Sequence, residues 1–320
     1  ASSERSFYVP FSALTRATYV TSAAANGGNI VATDLMDQDF IEALRDASPV
    51  MGLGVRTMTG LVGDVAIPRR SGVASTYYLS TETTAITQSE STFDQVTLSP
   101  KNLASLSKYS RQTLIQGTPG IEGLVRTDLT DGILAALDAA ILNGSGSSGQ
   151  PTGIRNTSGI GSVAMGTNGA AITMEKIVDL ETAITQDNAV VGNAMAYVTN
   201  SKVMGALKKL RAGGSSATDG SFLFNSDLQA IGRGPTPLTL NGYPIATTNA
   251  VPSNLTKGSG SNLSAVVAGD FSQAMVGFYG NGLEIVVGEE SDDFAKALTS
   301  VRGIVSFDVA VRHAESFASI

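Results

Sequence analysis

The chain has 320 residues, a formal net charge of −7, 42% hydrophobic residues and only 15% charged residues. That length and apolar content can bury a sizeable core, which excludes a chain that is disordered as a whole. The acidic balance argues against a protein that coats nucleic acid through a basic face. The absence of cysteine excludes a disulfide framework, a thiolate metal site and a cysteine nucleophile. No apolar stretch approaches the ~20 residues that a membrane-spanning helix needs.

The first part of the chain is predicted to form an arm followed by a short helix. Residues 1–33 are poor in charge and show no sustained apolar period, as expected of an extended segment. Asp34 then has the character of an N-cap for a helix over about 34–47, which Pro49 ends. Because the first residue is Ala rather than Met, we expect that the N-terminus has been processed.

Residues 61–112 are predicted to form a long extended hairpin. The segments LVGDVAIP, FDQVTL and NLASLSKYS have the pattern of strands, and the polar middle between them is rich in β-favouring residues. A two-stranded hairpin is marginal alone in water, so a partner subunit is its expected cover. The candidate intersubunit contacts are Arg69, Arg70, Tyr77, Tyr78, Glu82, Glu90 and Phe93. The arginine pair either meets acids of a neighbouring subunit or only aids solubility, and both alternatives stay open.

The best-marked element is a helix over about 119–142. Thr118-Pro119 offers a capping hydroxyl followed by proline at the first helical position. Apolar residues then recur at spacings of three and four, which predicts one continuous stripe: Ile121, Leu124, Val125, Leu129, Ile133, Leu137, Ala140 and Ile141. The helix is expected to end at Asn143-Gly144.

The run GSGSSG at 144–149 follows that helix and has three possible roles. A phosphate cradle is disfavoured, because the run lies at the negative end of the helix dipole and lacks the Lys-Ser/Thr of a phosphate loop. An engineered linker is the second alternative. The favoured interpretation is a helix stop and exit turn made by Asn143, Gly144, Gly146 and Gly149.

The remainder of the chain carries both helix and strand signals. Helices are predicted near 173–186 and 201–210, and a strand at 194–199. Further strands are predicted in the segments PIATT, SAVVAGDF, QAMVGFY and LEIVVG, and in VSFDVAVRH, where apolar residues alternate with Ser, Asp, Ala and Arg. Strands and helices are segregated rather than strictly alternating, so the predicted class is α+β.

Three further groups of residues could carry chemistry, and each has a plainer explanation. His313, the single histidine, falls at the end of a strand, where an edge or interface position is expected. The acids of EESDD at 289–293 are expected to be solvated or to face another subunit, with weak divalent-cation binding as the alternative. The cations of LKKLR at 207–211 suit a helix end better than nucleic-acid contact. The sequence therefore predicts no catalytic residue, no cofactor and no metal site.

Together these elements resemble the major capsid proteins of tailed bacteriophages (Caudoviricetes), which have the Hong Kong ninety-seven type fold. The most specific stretch is 105–154, where the return strand of the hairpin leads into the long helix, an L-N-G-x-G turn at 142–146 and a segment of the type G…P-x-G-I at 149–154. The C-terminal stretch from VVAGDF to RHAESF looks like the family's G-D-F element, axial strands and last peripheral strand. The resemblance covers roughly residues 34–320.

The resemblance implies an arm at 1–50, an extended hairpin (E-loop) at 61–112, a peripheral domain at 113–194 and 291–320, and an axial domain at 195–290. It implies self-assembly into the pentamers and hexamers of an icosahedral head that encloses double-stranded DNA without sequence-specific binding. Portal and decoration proteins are the other implied partners, with assembly in the bacterial host cytoplasm and no membrane. Removal of an N-terminal scaffolding segment, which is frequent in the family, would account for a chain that starts at Ala1.

One departure from the family pattern concerns covalent cross-linking. Some members join a lysine of the E-loop to an asparagine of a neighbour, but residues 64–100 contain no lysine, and Lys101 lies at the base of the hairpin. Such cross-links are therefore not expected. Two rival functions are an encapsulin-like nanocompartment shell of the same fold and a phosphate-handling enzyme built on the glycine-rich loop.

Overall fold

The computed structural model describes residues 49–79, 81, 85, 88–116, 120–187, 189, 194–211, 239–289 and 291–320. Nearly all of the predicted arm with its helix at 34–47, the Thr118-Pro119 helix start and Glu82 lie outside the described residues.

Helices and strands both build the described part of the chain, which confirms the predicted α+β class. The helices are α1 (Arg111–Gln116), α2 (Ile121–Asn143), α3 (Met174–Gln186), α4 (Ser201–Lys208) and α5 (Ser291–Phe294). The strands are β1 (Arg56–Leu61), β2 (Val65–Arg70), β3 (Phe93–Leu98), β4 (Lys101–Ser110), β5 (Gly161–Ser162), β6 (Met195–Thr199), β7 (Thr239–Leu240), β8 (Tyr243–Thr247), β9 (Leu255–Lys257), β10 (Gly260–Leu263), β11 (Val266–Asp270), β12 (Ala274–Gly288), β13 (Leu298–Val311) and β14 (Phe317–Ser319).

A four-stranded sheet has the order β1-β12-β13-β4. Its long central pair, β12 and β13, is antiparallel, with an irregularity between Tyr279 and Glu284. The sequence predicts two separate strands here, whereas the structure has one. The difference arises because Gly280 and Gly282 adopt φ values of 64° and 89°, which lets a bulge join the two segments without ending the strand.

Helix α2 packs along β13 and β4 of this sheet. Its buried residues include Leu129, Ile133, Leu137 and Ile141, one row with a spacing of four that runs along one side of the helix, and Asp138 and Leu142 are buried next to this row. The predicted stripe is too wide, because Leu124 is exposed. That residue lies about 140° around the helix from Leu129, so it cannot reach the sheet when Leu129 does.

A six-stranded sheet has the order β5-β14-β11-β6-β8-β7. Every residue of β6 and β11 is buried, and α3 and α4 pack their apolar residues against this sheet. Both edge strands have only two residues, which limits the exposed hydrogen-bonding edge.

The two large sheets share one core. Leu137 and Ile141 of α2 and Phe307 of β13 lie in the same buried cluster as Phe271 and Phe317, which belong to the six-stranded side. The rings of Phe271 and Phe317 meet edge to face, with centroids 5.5 Å apart, a favoured aromatic geometry. This common core fixes the position of both sheets relative to α2.

Strands β2 and β3 form a separate two-stranded hairpin, paired from Val65 opposite Leu98 to Arg70 opposite Phe93. The hairpin is anchored at its base, where Leu98 is fully buried beside Met275 and Ala310. Strand β4 then leaves the hairpin and joins the four-stranded sheet.

Strand pairing crosses the predicted domain boundaries. Strand β12 falls within the predicted axial segment 195–290 but pairs with β13 of the predicted peripheral segment 291–320. Strand β14 of that same segment pairs with β11. Chain order does not determine which strands share hydrogen bonds, so the division into domains stays a prediction.

Candidate assembly surfaces

The end of the β2–β3 pair that lies away from Leu98 is tied to the body of the subunit through Arg69. Its Nη2 donates a hydrogen bond to Asp94 Oδ2 at 2.9 Å, and its Nη1 donates to the carbonyl of Arg312 at 3.0 Å. The hydrogen bond from Arg69 lowers the pKa of the Asp94 carboxyl below its ordinary value. The sequence left two alternatives for Arg69, an acid of a neighbouring subunit or a role in solubility. The structure adds a third, because Arg69 pairs with an acid of its own chain.

Arg70 follows Arg69 in the chain and lies on the exposed side of β2. It makes no ion pair with any residue that the structure describes. Together with the exposed His313 it lines a cleft of about 750 Å³ between the end of β2 and the segment after β13. An intersubunit contact of Arg70 stays a prediction.

Large apolar side chains are exposed along the hairpin. Tyr78 is 103% exposed, Phe93 74% and Val73 73%, and Tyr77 is also exposed. Glu90 is exposed and accepts a hydrogen bond from Gln88 at 3.4 Å. Within the described ranges nothing covers these aromatic rings, so the hairpin presents an uncovered apolar surface of the kind that marks an interaction site.

A buried ion pair joins the start of β4 to β13. Lys101 Nζ lies 2.7 Å from Asp308 Oδ1, and the backbone N–H of Ser99 donates to Asp308 Oδ2 at 2.9 Å. The sequence places Asp308 on the polar side of its strand, yet it is only 3% exposed. The anchor of the hairpin at Leu98 covers that side of β13, which strand alternation alone does not indicate.

A second buried carboxylate corrects the interpretation of the EESDD segment. Asp293 is 2% exposed rather than solvated. Both of its oxygens accept from Lys108 Nζ at 2.9 Å, and Ser300 Oγ donates to it at 2.5 Å. Glu289 and Asp292 are exposed. The described residues contain no group of three or more His, Cys, Asp or Glu side chains that could hold a metal ion.

The exit turn after α2 is a compact reversal. The helix ends at Asn143, and the N–H of Gly153 returns to donate to the carbonyl of Gly144 at 2.9 Å. Asn156 Nδ2 donates to the carbonyls of Asn143 and Gly144 at 3.2 and 2.9 Å, and Arg155 donates to Asn143 Oδ1. Asn156 thus satisfies the carbonyls of the last helical residue and of the C-cap residue, a role that the sequence did not reveal.

The glycines of this turn are needed for different reasons. A Cβ on Gly144 would lie 2.3 Å from the carbonyl oxygen of Pro151, although its φ of −52° suits any residue. Gly146 has φ 69° and would place a Cβ 2.5 Å from Thr152 Oγ1, whereas Gly149 has φ 79° but open space around it. Close approach of two backbones therefore requires Gly144, and backbone conformation requires the other two.

The cations of LKKLR lie at the end of α4, as expected. Lys208 is in the last turn and Lys209 is the C-cap residue, where positive charge faces the negative end of the helix dipole. No helix among the described residues is long and apolar enough to cross a membrane.

Solved structures with the same fold include capsids. The chain superposes on the capsid of a native GTA particle with a TM-score of 0.72 at 18% identity, covering 93% of this chain and 97% of that one. A chain in a solved structure of Gordonia phage Cozz superposes with a TM-score of 0.69 at 16% identity, with 92% of both chains covered. This architecture of helices and sheets thus has the Hong Kong ninety-seven type capsid fold.

Comparison of the sequence with known families and proteins leads to the same class of protein as the fold. Residues 27–320 match the model of the Phage capsid family, and the chain belongs to this family, which is structural rather than enzymatic. It is 29% identical over 297 residues to the major capsid protein of Halomonas phage phiHAP-1, a match that covers 92% of this chain but only 44% of that relative. It is 24% identical over 312 residues to the major capsid protein of Klebsiella oxytoca phage phiKO2, with 92% and 68% covered.

Proposed function

We propose that this chain is the major capsid subunit of a tailed phage and that it assembles into the pentamers and hexamers of an icosahedral head. Its place is the virion, after assembly in the bacterial host cytoplasm. Family membership and the major capsid relatives support this function. The observation that carries the assembly mechanism is the hairpin, whose aromatic side chains have no cover within the described part of the subunit.

The mechanism is geometric. A two-stranded hairpin gains little stability by itself, and burial of its exposed rings against a neighbouring copy would remove apolar surface from water. Folding of the hairpin and assembly of the shell are then coupled, because the contacts that stabilise one build the other. The hydrogen bonds of Arg69 to Asp94 and to the carbonyl of Arg312 support this mechanism, since they fix the direction in which the hairpin leaves the body.

Packaged double-stranded DNA is the proposed content of the shell, held without sequence-specific contacts. A subunit with a net charge of −7 does not neutralise phosphates widely, which suits a wall that encloses DNA rather than binding it. Portal and decoration proteins are the further proposed partners.

Non-covalent contacts are proposed to hold the shell together. The hairpin segment contains no lysine between 64 and 100, and the two lysines near its base, Lys101 and Lys108, are paired with Asp308 and Asp293 of their own chain. The E-loop therefore offers no free ammonium for a cross-link to a neighbour.

Electron microscopy of particles from a phage lysate and from a host that expresses the chain alone tests the function. Closed icosahedral shells, filled with DNA in the lysate, are expected. Uniform small shells loaded with a cargo protein would support an encapsulin instead, and a monomer or dimer under all assembly conditions would overturn the capsid function. Denaturing electrophoresis of the particles checks the cross-linking proposal, because a ladder of covalent oligomers would contradict it.

A further inference from the structure

A cavity of about 520 Å³ lies beside the six-stranded sheet, and no residue of the β2–β3 hairpin lines it. Its walls are the loop 162–172, the start of α4 and the hairpin formed by β9 and β10, and Val266 and Ser319 of the sheet also line it. This volume falls within the ~300–1,000 Å³ range of pockets that take small molecules. We call it the β9–β10 pocket.

Two walls of the β9–β10 pocket are locked together. The backbone N–H of Ser259 donates to Asn168 Oδ1 at 3.0 Å. A Cβ on Gly260 would stand 2.0 Å from the carbonyl oxygen of Asn168, and one on Gly169 would stand 2.8 Å from the Leu263 side chain. Contacts this close require glycine on both walls, so the loop 162–172 packs directly against the hairpin formed by β9 and β10.

The charged side chains that line the pocket are all positive. Arg155, Lys202 and Lys257 line the pocket, and among the described residues no Asp or Glu side chain does, while Ile320, the last residue of the sequence, also belongs to the lining. None of the three forms an ion pair with a carboxylate in the part of the chain that the structure describes. Lys202 donates to the carbonyl of Asn262, a neutral acceptor. In a chain with a net charge of −7, this is a local concentration of positive charge in an apolar cleft, which attracts anions.

The rest of the lining is mainly apolar, with one unused hydroxyl. The apolar side chains include Val163, Met165, Ile172, Val203, Leu255 and Leu263. Ser264 Oγ is buried and has no hydrogen-bond partner among the residues that the structure describes. A buried hydroxyl without a partner costs free energy, and an oxygen atom of a ligand in the pocket would supply that partner.

We propose that the β9–β10 pocket binds a small organic anion with an apolar body, of the class of aliphatic carboxylates. The carboxylate is held by Lys202 and Lys257, the hydrocarbon part lies against the apolar lining, and Ser264 donates to an oxygen of the ligand. The site is formed within one subunit, so binding does not depend on assembly into a shell.

Calorimetric titration of the folded, unassembled subunit with octanoate tests the site, with 1-octanol as the uncharged probe of the same length. Octanoate is expected to bind at about one molecule per chain and about tenfold more tightly than octanol, the effect of a charge-assisted hydrogen bond. The double variant Lys202→Gln/Lys257→Gln should lose that preference, and Ser264→Ala should weaken octanoate severalfold. The matched control is Lys176→Gln, which removes an exposed lysine from α3 and should leave binding unchanged.

Equal affinity for octanoate and octanol would overturn the proposal, and so would unchanged octanoate binding in the double lysine variant. Weakening of the same size in Lys176→Gln would also overturn it, because it would show a response to net charge rather than to the pocket. The thermal unfolding midpoint of each variant, measured without probe, separates loss of binding from loss of folding.

Discussion

Lys101 and Asp308 form an ion pair with 2.7 Å between Nζ and Oδ1 at the point where the hairpin returns to the body of the subunit. The Asp308 side chain is 4% exposed, whereas that of Lys101 is 28% exposed. Because the same carboxylate also accepts from the backbone N–H of Ser99, one buried group holds both the ammonium and the chain that leads into β4.

Replacing Lys101 with alanine should lower the free energy of unfolding by about 3 kcal/mol, because it leaves a buried carboxylate without its counter-ion. Urea unfolding of the unassembled subunit measures the change. The control is Lys176→Ala, whose partner Asp179 is 49% exposed, and it should cost at most about 1 kcal/mol. Equal losses in the two variants would show that the buried pair has no special role.

The geometry of the exit turn predicts the order of stability of three variants in which glycine is replaced by alanine. Gly144→Ala should be the most damaging, since its Cβ would meet the Pro151 carbonyl at 2.3 Å. Gly149→Ala has open space and should lose only the ~1 kcal/mol expected for a left-handed alanine. Gly123→Ala, within α2 and also in open space, should gain up to ~1 kcal/mol from helix propensity. Thermal unfolding midpoints of the three variants check the order, and a harmless Gly144→Ala would contradict the close backbone approach.

The same glycines should affect assembly. Gly144→Val and Gly146→Val are expected to reduce the yield of closed shells, because the turn determines how the chain continues from the long helix. Particle yield by sedimentation and electron microscopy is the measurement. Normal assembly of both variants would count against this account of the turn.

The Arg69–Asp94 pair predicts an acid response of the hairpin. The pKa of Asp94 is lowered from 3.8 in the folded subunit, so the ionised carboxylate favours the folded hairpin at pH values above 3.8. That advantage is lost as the pH falls through the lowered pKa. Hydrogen exchange at Ile67 and Val96, corrected for intrinsic rates, should therefore accelerate at acid pH in the natural chain. Asp94→Asn should remove this component, and an identical acid response in that variant would exclude the pair as its cause.

Because the aromatic rings of the hairpin are exposed, their loss should reduce assembly without changing the stability of the isolated subunit. The triple variant Tyr77→Ser/Tyr78→Ser/Phe93→Ser should change the free energy of unfolding of the isolated subunit by less than ~0.5 kcal/mol, since these side chains are solvated there. It should nevertheless reduce the yield of closed particles sharply. Val178→Ser, at an exposed position of α3, is the control for lost surface apolarity. Particles formed at the natural yield by the triple variant would contradict the proposed role of the hairpin.

The sequence by itself determined the elements whose causes are local. The apolar spacing from Leu129 to Ile141 and the stop at Asn143 define α2 within a few residues, since helix periodicity and glycine both act over short distances. The polar, β-favouring composition of the hairpin predicted a strand pair without a core of its own. The order of these elements was enough for a resemblance to a capsid family, which the fold and the family match confirm.

Only the tertiary structure decided which residues lie opposite each other across long distances in the chain. Asp308 and Asp293 have the pattern of solvated acids, and their burial beside Lys101 and Lys108 follows from strand pairing that joins residues about 200 positions apart. The same holds for the β9–β10 pocket, whose lining comes from separate segments between Arg155 and Ile320. Local patterns depend on neighbours in sequence, whereas burial, ion pairing and cavities depend on neighbours in space.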